Sequence, residues 1–402
     1  MGIVISAGPV FRLFCWALAG AWLWKGITAL RGMPKLPDLS RVNLESLPST
    51  PRGDCPELTV VVPARDEEVS IEACLRSLLS SVGVRLQIIA VDDRSSDRTG
   101  SRMDAIAAEE RTGDCAHCLE VIHIEELPAG WLGKPRALAA GAHRARAPWI
   151  LFTDGDVVFG SRALELVLRE AESTRADHIV VVPTLLLETV GERAVLAAMQ
   201  VLALWAVRLW KIADSRARDF IGAGGFNMVR SEVYRQIGGF EALRMEILED
   251  LYLGKRVKRA GYSQRIVLGP DLVRVRWIDG ALAVVHLIEK NGFAVTRFRT
   301  GLHLLACLSF LIDAILPLAA VAVGGGTAIA GVLTYLGISL AYCAIRRSSR
   351  ISAWYTVLFA PATLLIAYSF LRSMLLALVR RGVVWRGTLY PLRELRKAAR
   401  ES

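Results

Sequence analysis

The sequence predicts an α/β domain, a mostly parallel sheet flanked by helices, joined to an interfacial helix and to transmembrane helices. Three observations predict it. From Leu58 onward, short apolar runs of strand type alternate with segments of helical period, the pattern of a parallel sheet with right-handed crossovers. Hydrophobic residues make up 53% of the 402 residues and the mean hydropathy is +0.38, too apolar for an ordinary soluble enzyme, yet 22% of the chain is charged. Finally, residues able to bind ligands follow three of the predicted strands, at the sheet edge where open α/β sheets bind their ligands.

Taken in order, residues 1–32 read as a membrane anchor, with Leu13 to Trp24 its purest apolar part. A span there must include Arg12 or Lys25, whose stem would snorkel to the interface. A cleavable signal peptide is the rival reading. Residues 33–56 hold five prolines and read as a linker. The α/β domain is expected over residues 57–278. Its strands are Leu58 to Val62, Leu86 to Val91, Glu120 to Ile124, Trp149 to Thr153, His178 to Pro183 and Phe226 to Val229. Helices are expected over Glu68 to Ser80, Ser96 to Glu110, Pro135 to Arg144 and Ala194 to Trp210, with one more carrying Glu249 and Asp250. Residues 279–300 alternate apolar and polar at helical spacing and read as a helix lying in a membrane surface. Residues 301–380 read as transmembrane helices. Leu302 to Ala344 is long enough for two spans broken at Gly324 to Gly326, and Ile351 to Val379 forms a further apolar segment containing Pro361 and Arg372. If that last segment crosses, the basic C-terminal tail of residues 381–402 falls outside, against the positive-inside rule; a re-entrant hairpin at Pro361 would return it inside.

The net charge of +10 lies largely beside the apolar stretches, which points to lipid headgroups, and no nucleic-acid-binding motif is present. Seven scattered cysteines form no disulfide framework. The one CxxC, Cys115 with Cys118, lacks a second ligand pair at zinc spacing and reads as part of a surface loop.

The sharpest feature is Asp154-Gly155-Asp156 at the end of an apolar run. Two hard anionic ligands there suit Mg²⁺ or Mn²⁺ completed by substrate phosphates, whereas the bland reading is a simple Asp-Gly turn. Glycine between them permits the backbone to bend so that both carboxylates face one point.

Four motifs now stand in order: Val62 to Glu67 (VPARDE), Val91 to Asp97 (VDDRSSD), Thr153 to Asp156 (TDGD), and Glu249-Asp250 after a glycine-rich stretch. Over about Pro56 to Trp277 the sequence resembles the family 2 glycosyltransferases of the GT-A, Rossmann-like fold. Leu127 to Lys134 (LPAGWLGK) and Trp385 to Tyr390 (WRGTLY) add a likeness to the membrane-bound glycosyltransferases associated with hopanoid and carotenoid biosynthesis. The resemblance implies a nucleotide-sugar donor, UDP-sugar favoured, a membrane lipid acceptor, a Mg²⁺ or Mn²⁺ cofactor and a cytoplasmic catalytic domain in a multi-pass inner-membrane protein. It implies that Pro63, Ala64, Arg65, Glu67, Asp92, Asp93, Lys134 and Asp154 bind the donor nucleotide, with one of Asp92 or Asp93 a candidate for helix capping alone. It implies Asp154 and Asp156 at the metal, Asp250 as general base with Glu249 as its rival, and Gly225, Glu249, Arg276 and Trp277 at the acceptor or diphosphate. Glu249 alone would otherwise be a helix-surface carboxylate. Polymerising members carry Gln-x-x-Arg-Trp; here Val273 stands where that glutamine would, which favours single transfer over a polysaccharide synthase. A non-catalytic nucleotide-binding scaffold is the alternative of a different class. No GxGxxG follows the first strand, which speaks against a dinucleotide oxidoreductase.

Overall fold

The computed structural model describes residues 8–42, 55–111, 117–277 and 279–401. The first residues of the anchor, half of the linker (43–54), Cys115 and Ile278 lie outside them. In chain order the elements are α1 (Pro9–Gly32), β1 (Leu58–Ala64), α2 (Ile71–Leu79), β2 (Leu86–Asp93), α3 (Thr99–Arg111), β3 (Cys118–Ile124), α4 (Gly133–His143), β4 (Trp149–Phe152), β5 (Val157–Phe159), α5 (Ala163–Ser173), β6 (His178–Val182), β7 (Thr184–Leu185), α6 (Val190–Ala206), β8 (Asn227–Arg230), α7 (Ser231–Gln236), α8 (Glu249–Arg259), β9 (Gln264–Leu268), β10 (Val273–Val275), α9 (Ala283–Val295), α10 (Thr300–Val323), α11 (Gly325–Ser349), α12 (Phe359–Val379), β11 (Gly382–Trp385), β12 (Thr388–Pro391) and α13 (Leu392–Glu401). They sort into a sheet unit, Pro37–Leu186 with Lys211–Trp277, and a helical unit, Met1–Leu36 with Leu187–Trp210 and Ile278–Arg396; a last stretch, Lys397–Ser402, is grouped with the sheet unit.

The sheet unit is built on seven strands in the order β3-β2-β1-β4-β8-β6-β9. All neighbours are parallel except β8, which runs antiparallel to β4 and β6. The α/β expectation therefore holds, with a mostly parallel sheet covered by helices. Burial on both faces explains why the strands read as unbroken apolar runs. In β1, Val60 and Val62 join Ile71, Leu75 and Leu78 of α2 on one face. Val61 joins Ala137 and Leu138 of α4, with Leu253 and Val257 of α8, on the other. A small second sheet, β5-β10-β7, escapes sequence reading because its strands are two or three residues long.

The helical unit contains four helices long and apolar enough to cross a membrane: Pro9–Lys35, Thr300–Val323, Gly325–Ser349 and Ala353–Val379. Small residues let α1 and α11 pack backbone to backbone, since a Cβ on Gly26 would come 2.3 Å from the carbonyl oxygen of Gly337. Lys25 does not snorkel as expected. It is buried, its Nζ donating to the Leu204 carbonyl at 2.9 Å and lying 4.7 Å from the centre of the Trp205 ring. Helix α6 starts four residues before its expected position, because Thr189 and Glu192 form a capping box. The predicted interfacial helix is the shorter α9. The basic tail is more ordered than expected: β11 and β12 form a hairpin whose two-residue turn, Arg386-Gly387, takes positive φ at both positions, and α13 follows. Arg346 and Arg347, expected in a basic loop, lie instead in the last turn of α11; the apolar segment after it is a short 3-10 helix, Ala353–Leu358, running into α12, with Pro361 in the first turn where its missing N–H is tolerated.

Helix α4 seats on β1 through Gly141, where an added Cβ would lie 2.4 Å from Cγ1 of Val61. Gly141→Val is expected to destabilise the domain by about 1–3 kcal/mol, read as a lowered thermal midpoint. An unchanged midpoint would contradict this packing.

Candidate active site

Strand ends and two helix starts of the sheet unit bring the predicted groups together. Lys134 lies in the first turn of α4. Its Nζ donates to Asp154 Oδ1 at 2.6 Å and to Glu249 Oε1 at 2.8 Å. Asp154 follows β4, and Glu249 and Asp250 open α8, so one ammonium ties three elements at a point. Burial opposes the lysine's charge, but Asp154, Glu249 and Asp250 outweigh it and hold its pKa well above the ordinary value. Around this cluster is a small pocket lined by Lys134, Asp154, Gly224, Asn227, Glu249 and Asp250, with Phe152 and Phe240 among its apolar walls. Gly224 leaves room for it, since a Cβ there would come 2.5 Å from Asp154 Oδ2.

Asp250 is a carboxylate of raised pKa within this cluster. Burial first, then the charge of Glu249, push its pKa up to about 6, while Lys134 pulls the other way. Its Oδ1 accepts the Leu251 N–H at 2.7 Å, and its main-chain carbonyl accepts from Asn227 Nδ2 at 3.1 Å. Glu249 is not the surface carboxylate of the bland reading; it is buried and paired with Lys134.

Asp156 sits on the other side of Gly155. Burial, then Asp154 and Glu67, push its pKa up to about 7, and its Oδ1 is buried without a hydrogen-bond partner. A buried carboxylate oxygen left unpaired beside further carboxylates fits a divalent cation, because such a group is costly unless charged partners compensate it. Among the described residues no three His, Cys, Asp or Glu side chains form a complete cage. Gly155 does not supply a left-handed bend, as its φ is not positive. Its smallness matters instead: a Cβ would lie 3.3 Å from that of Ala64.

The loops after β1 and β2 are laced together. The N–H groups of Asp66, Glu67 and Glu68 donate to Ser95 Oγ, Thr99 Oγ1 and Asp97 Oδ2 at 3.1, 2.8 and 3.1 Å. Pro63 and Ala64 lie opposite Val91 and Asp92 in register. Asp92 accepts the Ser95 N–H at 3.2 Å and meets His123 Nδ1 at 3.1 Å. His123 is raised by Asp104 and then by Asp92. Asp93 is buried and paired with Arg94, while Arg65 lies 3.8 Å from Asp66. Thr153 Oγ1 donates to the carbonyl of Gly225 at 2.9 Å. The pocket lining does not include Arg276 or Trp277, which follow β10 and are exposed. Sequence reading missed the buried network behind Asn227. His178 Nε2 hydrogen-bonds Asn227 Oδ1, and its Nδ1 accepts from Gln264 Nε2 at 2.8 Å. Burial pushes His178 down to about 4, so it is neutral. His178 and Gln264 start strands without a motif to flag them, and only the sheet register brings them together.

Residues 59–251 match the model of the family described as Glycosyl transferase family 2. Curated relatives include the uncharacterized glycosyltransferase EpsJ of Bacillus subtilis, 30% identical over 31% of this chain and 33% of that protein. Another is the 4,4'-diaponeurosporenoate glycosyltransferase of Staphylococcus aureus, 22% identical over 49% of this chain and 50% of that protein. The chain thus spans a third to a half of the length of these relatives. Among solved structures it is similar to a mannosyltransferase from Pyrobaculum calidifontis in complex with GDP-Man and Mn²⁺, with TM-score 0.47 and 15% identity over 92% of this chain and 98% of that one. It is also similar to TarS of S. aureus, with TM-score 0.38 and 18% identity over 59% of this chain and 40% of that one.

The raised pKa of Asp156 carries a stability signature. A folded value above the unfolded one means that the stability contribution is full below about pH 4 and is lost as the pH rises through about 7. In EDTA, Asp156→Asn is expected to raise the thermal midpoint at about pH 8, with the gain vanishing near about pH 4. A variant less stable than the native chain at the higher pH would contradict the assignment.

Proposed function

We propose, from the family 2 glycosyltransferase domain that residues 59–251 form, that this chain transfers one sugar from a nucleotide-diphosphate sugar, a UDP-sugar by preference, to a hydroxyl or carboxyl group of a membrane lipid. The observation that carries the reading is the convergence of Lys134, Asp154, Glu249 and Asp250 on one pocket of that domain.

Asp250 takes the proton of the acceptor hydroxyl as its oxygen bonds to the anomeric carbon; an acceptor carboxylate has none to give. The bond to the diphosphate breaks, its electron pair leaves with the phosphate oxygen, and the single displacement inverts the anomeric centre. Lys134 stands at the start of α4, where its charge and the helix amides suit a diphosphate. Glu249 holds that ammonium in place and is thereby a positioning residue rather than a second base. Asp154 and Asp156 would hold Mg²⁺ or Mn²⁺, which supplies charge neutralisation for the departing diphosphate. Glu67, Arg65 and the carboxylates that end β2 border the expected nucleotide site, where Asp92 can accept from ribose hydroxyls or a base N–H. Gly225 shapes the sugar side, and Arg276 with Trp277 is assigned to the diphosphate or acceptor from the sequence pattern alone.

The four long apolar helices and the relative named for 4,4'-diaponeurosporenoate support a lipid acceptor. Arg346, Arg347 and Arg350 at the end of α11 support an inner-membrane protein with the domain on the cytoplasmic side. A polysaccharide synthase is disfavoured by Val273, and a non-catalytic scaffold by the retention of Asp154, Asp156 and Asp250 around connected sites.

The test uses membranes from cells overproducing the chain, labelled nucleotide sugars and Mn²⁺ or Mg²⁺, with label counted in the organic extract. One donor is expected to give lipid-phase label that falls about 10²- to 10⁴-fold in Asp250→Asn, while nucleotide binding to the purified variant persists. Lipid-phase label undiminished in Asp250→Asn would overturn the role of Asp250. Absence of label from every donor with lipid extracts supplied, together with retained nucleotide binding, would favour the scaffold.

A further inference from the structure

We propose that the segment Ala353–Val379, although long and apolar enough to cross a bilayer, dips only part-way into it and returns. The basic stretch from Arg380 onward then lies on the membrane side where α10 begins and α11 ends, seated on a leaflet with anionic headgroups. This inference rests on helix contacts within the helical unit and is independent of the transfer reaction.

Helices α10 and α11 form an antiparallel pair, with Gly331 close enough to α10 that a Cβ would lie 2.6 Å from the Pro317 carbonyl oxygen. The start of α10 and the end of α11 therefore share a level. Depth below that level is read from the rise of about 1.5 Å per residue. The beginning of α12 lies well inside. Phe359 stacks edge-on with Tyr342 at 6.3 Å and with Trp22 at 5.7 Å. Tyr342 is seven residues before the end of α11, and Trp22 packs at Gly337, twelve residues before it. Phe359 thus lies about 10–18 Å deep.

From there α12 climbs back. The Phe370 carbonyl meets His303 Nε2 at 2.9 Å, only three residues into α10, and the Phe370 ring packs on Phe310 at 5.2 Å. Beyond it the partner is α9, the helix that leads into α10. Ser373 Oγ accepts the Phe293 N–H at 3.0 Å and donates to the Glu289 carbonyl at 2.8 Å. Glu289 pairs with Arg372 and, at 2.7 Å, with Arg380. Thr296 Oγ1 contacts His303 Nδ1 at 3.0 Å, which fixes the end of α9 at the start of α10. Both ends of the journey from Arg350 to Arg380 are therefore at one level. A crossing helix would have to reach the level of Gly324, across a hydrocarbon layer of about 30 Å. Among the described residues, the cluster in that far half is Cys15, Ala19, Ala320 and Ala330 with Phe11, Leu316 and Leu333, all from α1, α10 and α11.

The same geometry states what covers the exposed face. Trp354 and Tyr368 are 53% and 57% exposed and Val357 is 70% exposed, an apolar surface with interfacial aromatics that suits acyl chains. Arg380, Arg381, Arg386 and Arg393 then stand on the same side as Arg346, Arg347 and Arg350, a single basic rim for anionic lipid headgroups. Crossing would separate those two groups of arginines.

The experiment places single cysteines by Gly326→Cys, Ser348→Cys and Arg386→Cys in the full chain with its natural cysteines replaced by alanine, and labels sealed inside-out and right-side-out vesicles with a membrane-impermeant maleimide. Gly326 is chosen because a Cβ there meets nothing within 4 Å. Cysteines at 348 and 386 are expected to label from one face and that at 326 from the other. Labelling of 386 with 326, opposite 348, would overturn the proposal. Trypsin digestion of the unaltered chain in the same vesicles gives a second reading that needs no variant. Tail peptides must be released from the face that exposes the C-terminal end of α11, and their release from the opposite face alone would equally overturn it.

Discussion

The ammonium of Lys134, held between Asp154 and Glu249, is the contact on which the catalytic domain's arrangement depends. It joins the end of the central strand β4 to the starts of α4 and α8. Each of these carboxylates alone would be costly to bury; a shared cation with two short contacts makes the cluster tolerable. The same compensation leaves two aspartates incompletely served. Asp250 and Asp156 keep raised pKa values because burial, and then the charge of neighbouring carboxylates, outweighs the pull of the lysine. That unequal sharing is what the proposed division of roles within one patch of acidic residues draws on: a holding pair, a proton acceptor and a cation ligand.

Sheet topology delivers these groups. Parallel strands β1, β2 and β4 all end on one edge, so the residues following them face one space, and the antiparallel β8 brings the glycine-rich approach and Asn227 to it from the opposite direction. Behind this edge the His178, Asn227 and Gln264 side chains satisfy one another in the core, a neutral network that fastens Asn227 to the main chain of Asp250. In the helical unit Lys25 is likewise paired with the Leu204 carbonyl, and Trp22 with Asp313.

Much of this was legible in the sequence. Apolar runs such as Leu58 to Val62 identify strands buried on both faces, and the α/β class with its membrane segments follows from pattern and composition. Lys134, Asp154, Glu249 and Asp250 were all marked by motifs, and the structure places them together. What escaped has physical causes. The holding role of Glu249 depends on a lysine 115 positions earlier, a pairing that no local pattern records. Lys25 looked like a snorkelling cation because its acceptor, Leu204, lies in a distant helix. The use of Gly155 was misjudged because space against Ala64, rather than backbone freedom, is what it provides. The small β5-β10-β7 sheet and the His178 network arise from register alone.

The central claim, that Asp156 and Asp154 with Lys134 form a cation-assisted diphosphate site, is tested most directly by calorimetric titration of UDP into the purified chain with Mn²⁺ and with EDTA, for the native protein and for Asp156→Ala. The account predicts that affinity falls at least about tenfold, roughly 1.4 kcal/mol, when Mn²⁺ is withdrawn, and that Asp156→Ala shows the weaker value in both buffers. Equal UDP affinity with Mn²⁺ and with EDTA in the native chain would contradict it.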